Sequence, residues 1–147
     1  MKIYLAGSLF TTAERDHLEW LAGRLEEAGH ECFVPHLQTI DPMTAETIYA
    51  TDSEGLRQSD AVVAVLDGPS VDDGTACEIG LFAELVRADP QRYKGIVGLA
   101  TDWRLTRRQD AGSPNGGLNF FVAGAILAGG AICWSLEDVL TTLDAWD

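Results

Sequence analysis

The chain is poor in the features that mark several large functional classes. Basic residues are few: 10 Lys and Arg stand against 23 Asp and Glu, for a formal net charge of −13. A surface of that sign repels a phosphate backbone, which argues against nucleic acid as a partner but leaves room for a local phosphate site. Cysteine is scarce. Cys32, Cys77 and Cys133 are odd in number, lie in apolar runs and form no C-x-x-C. They read as reduced thiols of a cytoplasmic protein, not as a disulfide framework. His17, His30 and His36 show no paired ligand spacing, so no metal is expected. There is no Gly-x-x-x-x-Gly-Lys stretch, and Gly7-Ser8 is not a dinucleotide fingerprint, so no nucleotide cofactor is expected either. The apolar run Phe120 to Cys133 is too short and too Gly-rich to span a bilayer. Met1-Lys2-Ile3 leads straight into a strand pattern, which reads as the absence of a signal peptide.

What is present suits one globular domain over residues 1–147. Apolar residues make up 46% of the chain, enough for a sizeable core without staples. Lys2 to Ala6 reads as a strand broken by Gly7-Ser8. Thr11-x-x-Glu14 is a capping box opening a helix to Ala28, with Leu18, Leu21, Ala22 and Leu25 on its apolar face and Gly29 as the terminator. Glu31 to Val34 is a second strand closed by Pro35, and a helix follows over about Thr44 to Gln58. Ala61 to Leu66 is a continuous apolar run, hence a fully buried strand, and a further helix reaches about Ala88 before Asp89-Pro90. Gly95 to Leu99 is a fourth strand. Ala100 to Gly117 is a polar loop holding Arg104, Arg107 and Arg108, which reads either as a lid over a bound base or as a disordered surface loop. Leu118 to Ala128 reads as a helix, Ala131 to Trp134 as a fifth strand, and Ser135-x-x-Asp138 as the cap of a last helix.

Strands alternating with helices specify a parallel sheet with helices on both faces. Five strands in this length predict a flavodoxin-like doubly wound α/β fold, in the order 2-1-3-4-5. Its switch point lies between strands one and three, where ligands bind in such sheets. That expectation gathers Gly7, Ser8, Asp67 and Asp72 around one crevice.

The most informative stretch is Asp72-Asp73-Gly74-Thr75-Ala76-Cys77-Glu78-Ile79-Gly80, directly after the buried strand. Carboxylates at a strand-to-helix junction suit chemistry on a group that becomes cationic, such as a sugar passing through an oxocarbenium ion. Thr75-x-x-Glu78 fits a capping box equally well, with Glu78 in the first turn of the helix. Both readings stand at this point. Asp52 reads as a solvated helix charge or a site acid. Tyr4 reads as a core tyrosine with its hydroxyl satisfied at the sheet end, and Asn119 as a helix cap. Cys77 and Ser8 lack the partners a nucleophile of their type needs.

Taken in order, these pieces resemble one family. Ile3-Tyr4-Leu5-Ala6-Gly7, Leu9-Phe10-Thr11, Val34-Pro35 with Gln38, Asp52 ahead of Gly55-Leu56, Asp72-x-Gly74-Thr75-x-x-Glu78-x-Gly80 and Leu118-Asn119-Phe120-Phe121 are similar to nucleoside 2-deoxyribosyltransferases. The resemblance implies that Glu78 is the nucleophile, Tyr4 positions it, Asp52 donates a proton to the leaving base, and Asp72 holds the substrate. It implies substrate contacts at Gly7, Phe10, Gln38 and Gly74. It further implies that Asn119 and Phe121 come from a neighbouring subunit, so that the protein is a dimer or hexamer with shared sites. The implied partners are nucleosides and free nucleobases, in a cytoplasmic salvage role, with neither nucleic acid nor membrane. The implied reaction is two displacements through a glycosyl ester, with net retention. A 2-hydroxyl would oppose positive charge on the sugar, so 2-deoxyribose is the expected donor. The related hydrolases, which cleave 2-deoxynucleoside monophosphates or pyrimidine nucleotides, remain the alternative. They tend to carry an Arg-rich phosphate loop after strand one, whereas here no arginine precedes Arg15. A non-catalytic flavodoxin-like module stands third: Asp67 suits a phosphorylatable acid ending strand three, but strand one offers no acid pair.

Overall fold

A computed structural model describes residues 1–105 and 117–147. Most of the expected lid, with Arg107 and Arg108, lies outside the described residues. Five strands form one parallel sheet: β1 (Lys2–Ala6), β2 (Glu31–Phe33), β3 (Ala61–Val65), β4 (Gly95–Leu99) and β5 (Ala131–Cys133). Their order is β2-β1-β3-β4-β5, as expected. The helices lying wholly among the described residues are α1 (Thr12–Glu27), α2 (Ala45–Gln58), α3 (Asp73–Ala88), α4 (Phe120–Leu127) and α5 (Leu136–Asp144), with a 3-10 turn at Pro35–Leu37. Among the described residues no helix is long and apolar enough to cross a membrane.

Alternation along the strands builds two cores. Ile3, Leu5, Val63 and Val97 point to one face and pack with Leu21 and Leu25 of α1 and Val139 and Leu143 of α5. Tyr4, Ala6, Val62, Ala64 and Ile96 point to the other, against Leu56 of α2, Ile79 and Phe82 of α3, and Ala123 and Ile126 of α4. Burial on both faces is why β3 reads as an unbroken apolar run. The register pairs Tyr4 with Val62 on one side and with Phe33 on the other. So the one polar tip in β1 beyond Lys2 lies on the second face, between α2 and α3.

Helix α1 starts as the sequence indicates. Glu14 N donates to Thr11 Oγ1 at 3.2 Å, and Thr11 N donates to Glu14 Oε2 at 2.7 Å. Helix α3 departs from its expected start. Its cap is Asp72, whose Oδ2 accepts from Thr75 N at 3.0 Å and from Thr75 Oγ1 at 3.2 Å. The helix begins at Asp73, so Glu78 is in the second turn and not in the first. The capping-box reading of Thr75 and Glu78 is thereby corrected. Aspartate is among the strongest N-cap residues, and by accepting from Thr75 N it starts the helix three residues earlier, so that Thr75 is inside the helix and no longer its cap.

Candidate active site

The buried residues of α3 are Thr75, Ile79 and Phe82. Glu78 lies three residues after Thr75 and four before Phe82, so helical spacing puts it on the same inward stripe. On α2 the buried Gly55 and Leu56 follow Asp52 by three and four residues. Each helix therefore sets one acid on its inner face, and both helices pack over β1.

The two acids converge on Tyr4. This tyrosine is wholly buried, and its hydroxyl donates to Glu78 Oε1 at 2.5 Å across 74 residues of sequence. Burial pushes the Glu78 carboxyl up to about 7. The Tyr4 hydrogen bond pulls the other way, and the charges of Asp52 and Asp72 push further up. Burial likewise raises the Asp52 carboxyl above the usual carboxylate range, and its Oδ1 is buried with no hydrogen-bond partner. The Tyr4 phenol is raised far above its ordinary value, by burial first and then by Glu78, so it stays a proton donor at any working pH. A carboxylate held by one phenolic donor, beside a second acid whose proton affinity burial raises, can act as a nucleophile paired with a proton donor.

The remaining expected residues are placed as follows. Asp72 caps α3 and is near enough to raise Glu78. It shares a crevice of about 350 Å³ with Ser8, Glu14, Asp67 and Asp73, as the switch-point argument expects. Asp67 is consumed structurally: Thr101 N, Thr101 Oγ1 and Asp102 N all donate to it, tying the end of β3 to the segment after β4. A Cβ at position 7 would meet Leu18 Cδ2 at 2.8 Å and Val65 Cβ at 3.3 Å, so a larger residue there would push the Leu18 side chain aside. At Gly74 a Cβ would sit 3.2 Å from Asp72 Oδ2 and crowd the cap. Phe10 is exposed. Gln38 turns its amide to donate to Val34 O at 2.9 Å. Asn119 caps α4, accepting from Phe121 N and Val122 N at 2.9 and 3.3 Å. Among the described residues, Asn119 and Phe121 share no hydrogen bond or ring contact with Tyr4, Asp52, Asp72 or Glu78. The structure thus brings together the four expected catalytic residues of one chain, and not the two expected from a neighbour.

Two partners escape a reading from spacing alone. Ser8 Oγ donates to Glu14 Oε1 at 2.7 Å, so the α1 cap also forms part of the crevice wall. Phe33 stacks on Tyr4, with ring centroids 5.1 Å apart and planes 14° from parallel. The signal for the second is positional, since Phe33 is the register neighbour of Tyr4 in a parallel pair.

Comparison with known proteins shows the family and the fold. A sequence model of the family described as nucleoside 2-deoxyribosyltransferase matches residues 3–120. An uncharacterized protein of Ureaplasma parvum serovar 3 is 30% identical, covering 97% of this chain and 94% of that protein. A conserved protein from Enterococcus faecalis V583 superposes with a TM-score of 0.77 at 28% identity, over 99% of this chain and 98% of that one. A 2-deoxyribosyltransferase from Bacillus psychrosaccharolyticus gives a TM-score of 0.68 at 22% identity, over 95% and 90%. The CMP N-glycosidase BcmB of Clostridium botulinum gives 0.62 at 20%, over 99% of each chain. The last two likenesses are of fold.

Proposed function

The chain belongs to the nucleoside 2-deoxyribosyltransferase family, and from that premise we propose that it exchanges the nucleobase of 2-deoxynucleosides through a deoxyribosyl ester on Glu78. The observation that carries this reading is the 2.5 Å hydrogen bond from Tyr4 to Glu78 in a buried setting. Tyr4 occupies Oε1, so Oε2 is the attacking oxygen. It forms a bond to the anomeric carbon as the bond to the base nitrogen breaks. The departing electron pair stays on the base, which takes a proton from Asp52. A second base then attacks the same carbon, the ester C–O bond breaks back to Glu78, and Asp52 recovers a proton. Two inversions give retention. Positive charge on the sugar in each transition state is stabilised by the ionised carboxylates around it.

An unphosphorylated donor is supported by the charge around the crevice. Glu14, Asp67, Asp72 and Asp73 line it, and a phosphate placed there would meet like charge. Arg15, in the first turn of α1, spends its guanidinium on Leu9 O and Phe10 O of the preceding loop, at 2.8 and 3.3 Å. Arg104 is paired with Asp102. The reading as a receiver-like module is weakened, because both carboxylate oxygens of Asp67 already accept hydrogen bonds from the chain.

We assign Asn119 and Phe121 to the site of a second subunit, in a homo-oligomer serving nucleoside salvage. Phe120 and Phe121 stand 75% and 85% exposed at the start of an apolar helix, as residues awaiting a partner would.

Incubation with deoxyinosine, with and without adenine, tests the reaction. Deoxyadenosine is the expected product, with inosine reacting far more slowly. Free deoxyribose at the same rate whether or not adenine is present would make the protein a hydrolase, and equal rates for inosine would remove the oxocarbenium argument. Mixing inactive Glu78→Ala with Asn119→Asp, which keeps the cap oxygen but loses the amide donor, tests sharing. Activity should return, and none after verified subunit exchange would refute it.

A further inference from the structure

We propose that Phe33 and Gly55 are positioning residues: they form a spacer that sets how deeply α2 seats on the sheet, and so how far Asp52 stands from the Tyr4–Glu78 pair. The proposal rests on the roles given above to Glu78 and Asp52.

The spacer is built by register and by a missing side chain. Phe33 and Tyr4 are paired residues of neighbouring parallel strands, so their side chains emerge side by side on one face. The rings stack face to face at 5.1 Å. On its other side Phe33 meets the backbone of α2 at Gly55. A Cβ built there would lie 2.6 Å from Phe33 Cζ, 2.7 Å from Cε1 and 2.9 Å from Cε2. Those separations are far inside van der Waals contact, so helix and ring touch without slack. The order across the layer is α2 backbone, Phe33 ring, Tyr4 ring, Glu78 carboxylate.

The ring cannot retreat. Tyr4 behind it is wholly buried, fixed at one end by β1 and at the other by its hydrogen bond to Glu78. Asp52 rides one helical turn before Gly55 on the same face. Its charge acts on both Tyr4 and Glu78, and its buried Oδ1 has no partner to hold it in place. The position of Asp52 is therefore inherited from the seating of α2. A methyl group at position 55 has two ways out, and both reach the site. Either α2 lifts and carries Asp52 away, or the ring tilts and displaces Tyr4 from Glu78.

The test uses Gly55→Ala in the full-length protein, with two readouts. Base exchange from deoxyinosine to adenine is followed for kcat and KM, and the ionisation of Glu78 is followed by carbon NMR of the labelled carboxylate. The expected result is a fall in kcat of about tenfold or more, larger than any rise in KM, since ångström-scale misplacement of a catalytic group costs rates of that order. The Glu78 ionisation should move to lower pH. Phe33→Leu removes Cζ and both Cε atoms, so Phe33→Leu/Gly55→Ala should recover most of the loss. A folded Gly55→Ala with unaltered kcat and unaltered ionisation overturns the proposal. So does a loss that tracks the folded fraction and is not relieved in the double variant. Should Gly55→Ala fail to fold, Phe33→Leu alone decides: lowered kcat with a displaced ionisation supports the spacer, and no change in either refutes it. If the native protein exchanges no bases, the functional reading fails, and the ionisation readout still judges the spacer.

Discussion

Two helix starts in this chain carry the same four-residue signature, Thr-x-x-Glu, and come to opposite ends. At α1, Thr11 and Glu14 close a reciprocal capping box. Hydrogen bonds hold the Glu14 carboxyl below its ordinary range, that from Ser8 most of all. At α3 a stronger cap stands three residues earlier. Asp72 takes the Thr75 donor, the helix begins sooner, and Glu78 turns inward to Tyr4. One glutamate is satisfied by Ser8 and by the Thr11 backbone and favours its charge. The other is buried and favours its proton. A local motif assigns a role only when no better cap stands just before it and starts the helix sooner. The acid released from capping is the one free to do chemistry.

The contrast breaks most sharply in activity. Glu78→Ala should lower base exchange by about four orders of magnitude or more while the protein stays folded, as loss of a nucleophile does. Glu14→Ala should lose activity only in proportion to the folded fraction. Rate assays beside a melting curve check both, and similar effects at the two positions would erase the distinction.

Stability should separate the two glutamates with pH. Glu78 ionises near 7 in the folded chain, against an ordinary value of 4.5. The folded state therefore binds the extra proton, and the stability tied to it is complete below about 4.5 and lost as pH rises through about 7. Glu78→Gln has no charge to bury, so it should be more stable than the native protein at pH 8, by about 1–3 kcal/mol, and no more stable at pH 4. Thermal melts at both pH values check this. A gain independent of pH would contradict the raised ionisation.

A smaller effect is expected where capping is the whole role. Thr11→Ala should cost about 1 kcal/mol by denaturant titration and leave the pH dependence of exchange unchanged. The smallest change sharpens the comparison at Asp72 itself. Asp72→Ser keeps a side-chain oxygen at the cap but removes the charge that pushes Glu78 up. Stability should hold to within about 0.5 kcal/mol, while the Glu78 ionisation moves down. An ionisation that stays put would make Asp72 a cap and nothing else.

Much of this architecture is legible in the chain itself. The run Ala61 to Leu66, the two apolar residues flanking Tyr4, and Gly, Pro and Ser/Thr punctuation mark every strand and most helix ends to within a residue or two. The alternation of strands and helices then restricts the sheet to one natural order. The crevice residues Ser8, Asp67 and Asp72 follow from the switch point alone. The site is less legible. Asp52 offers the sequence nothing beyond an acid on a helix, because its meaning lies in a buried oxygen without a partner. Asp67 looks like a functional acid at a strand end, yet its oxygens are bound by Thr101 and Asp102. Gly55 of α2 lies against the ring of Phe33 on β2, a contact between residues far apart in sequence.

By itself, then, the sequence determined the doubly wound fold, its strand order and the short list of acids near the strand ends. Those depend on periodicity and on hydrogen bonds between near neighbours. Only the tertiary structure decided which acid caps, which braces and which can react. Glu78 finds its phenol 74 residues away, and its proton affinity rises because α2, α3 and β1 close over it together. Desolvation and long-range charge belong to no single element, so no stretch of sequence read alone contains them.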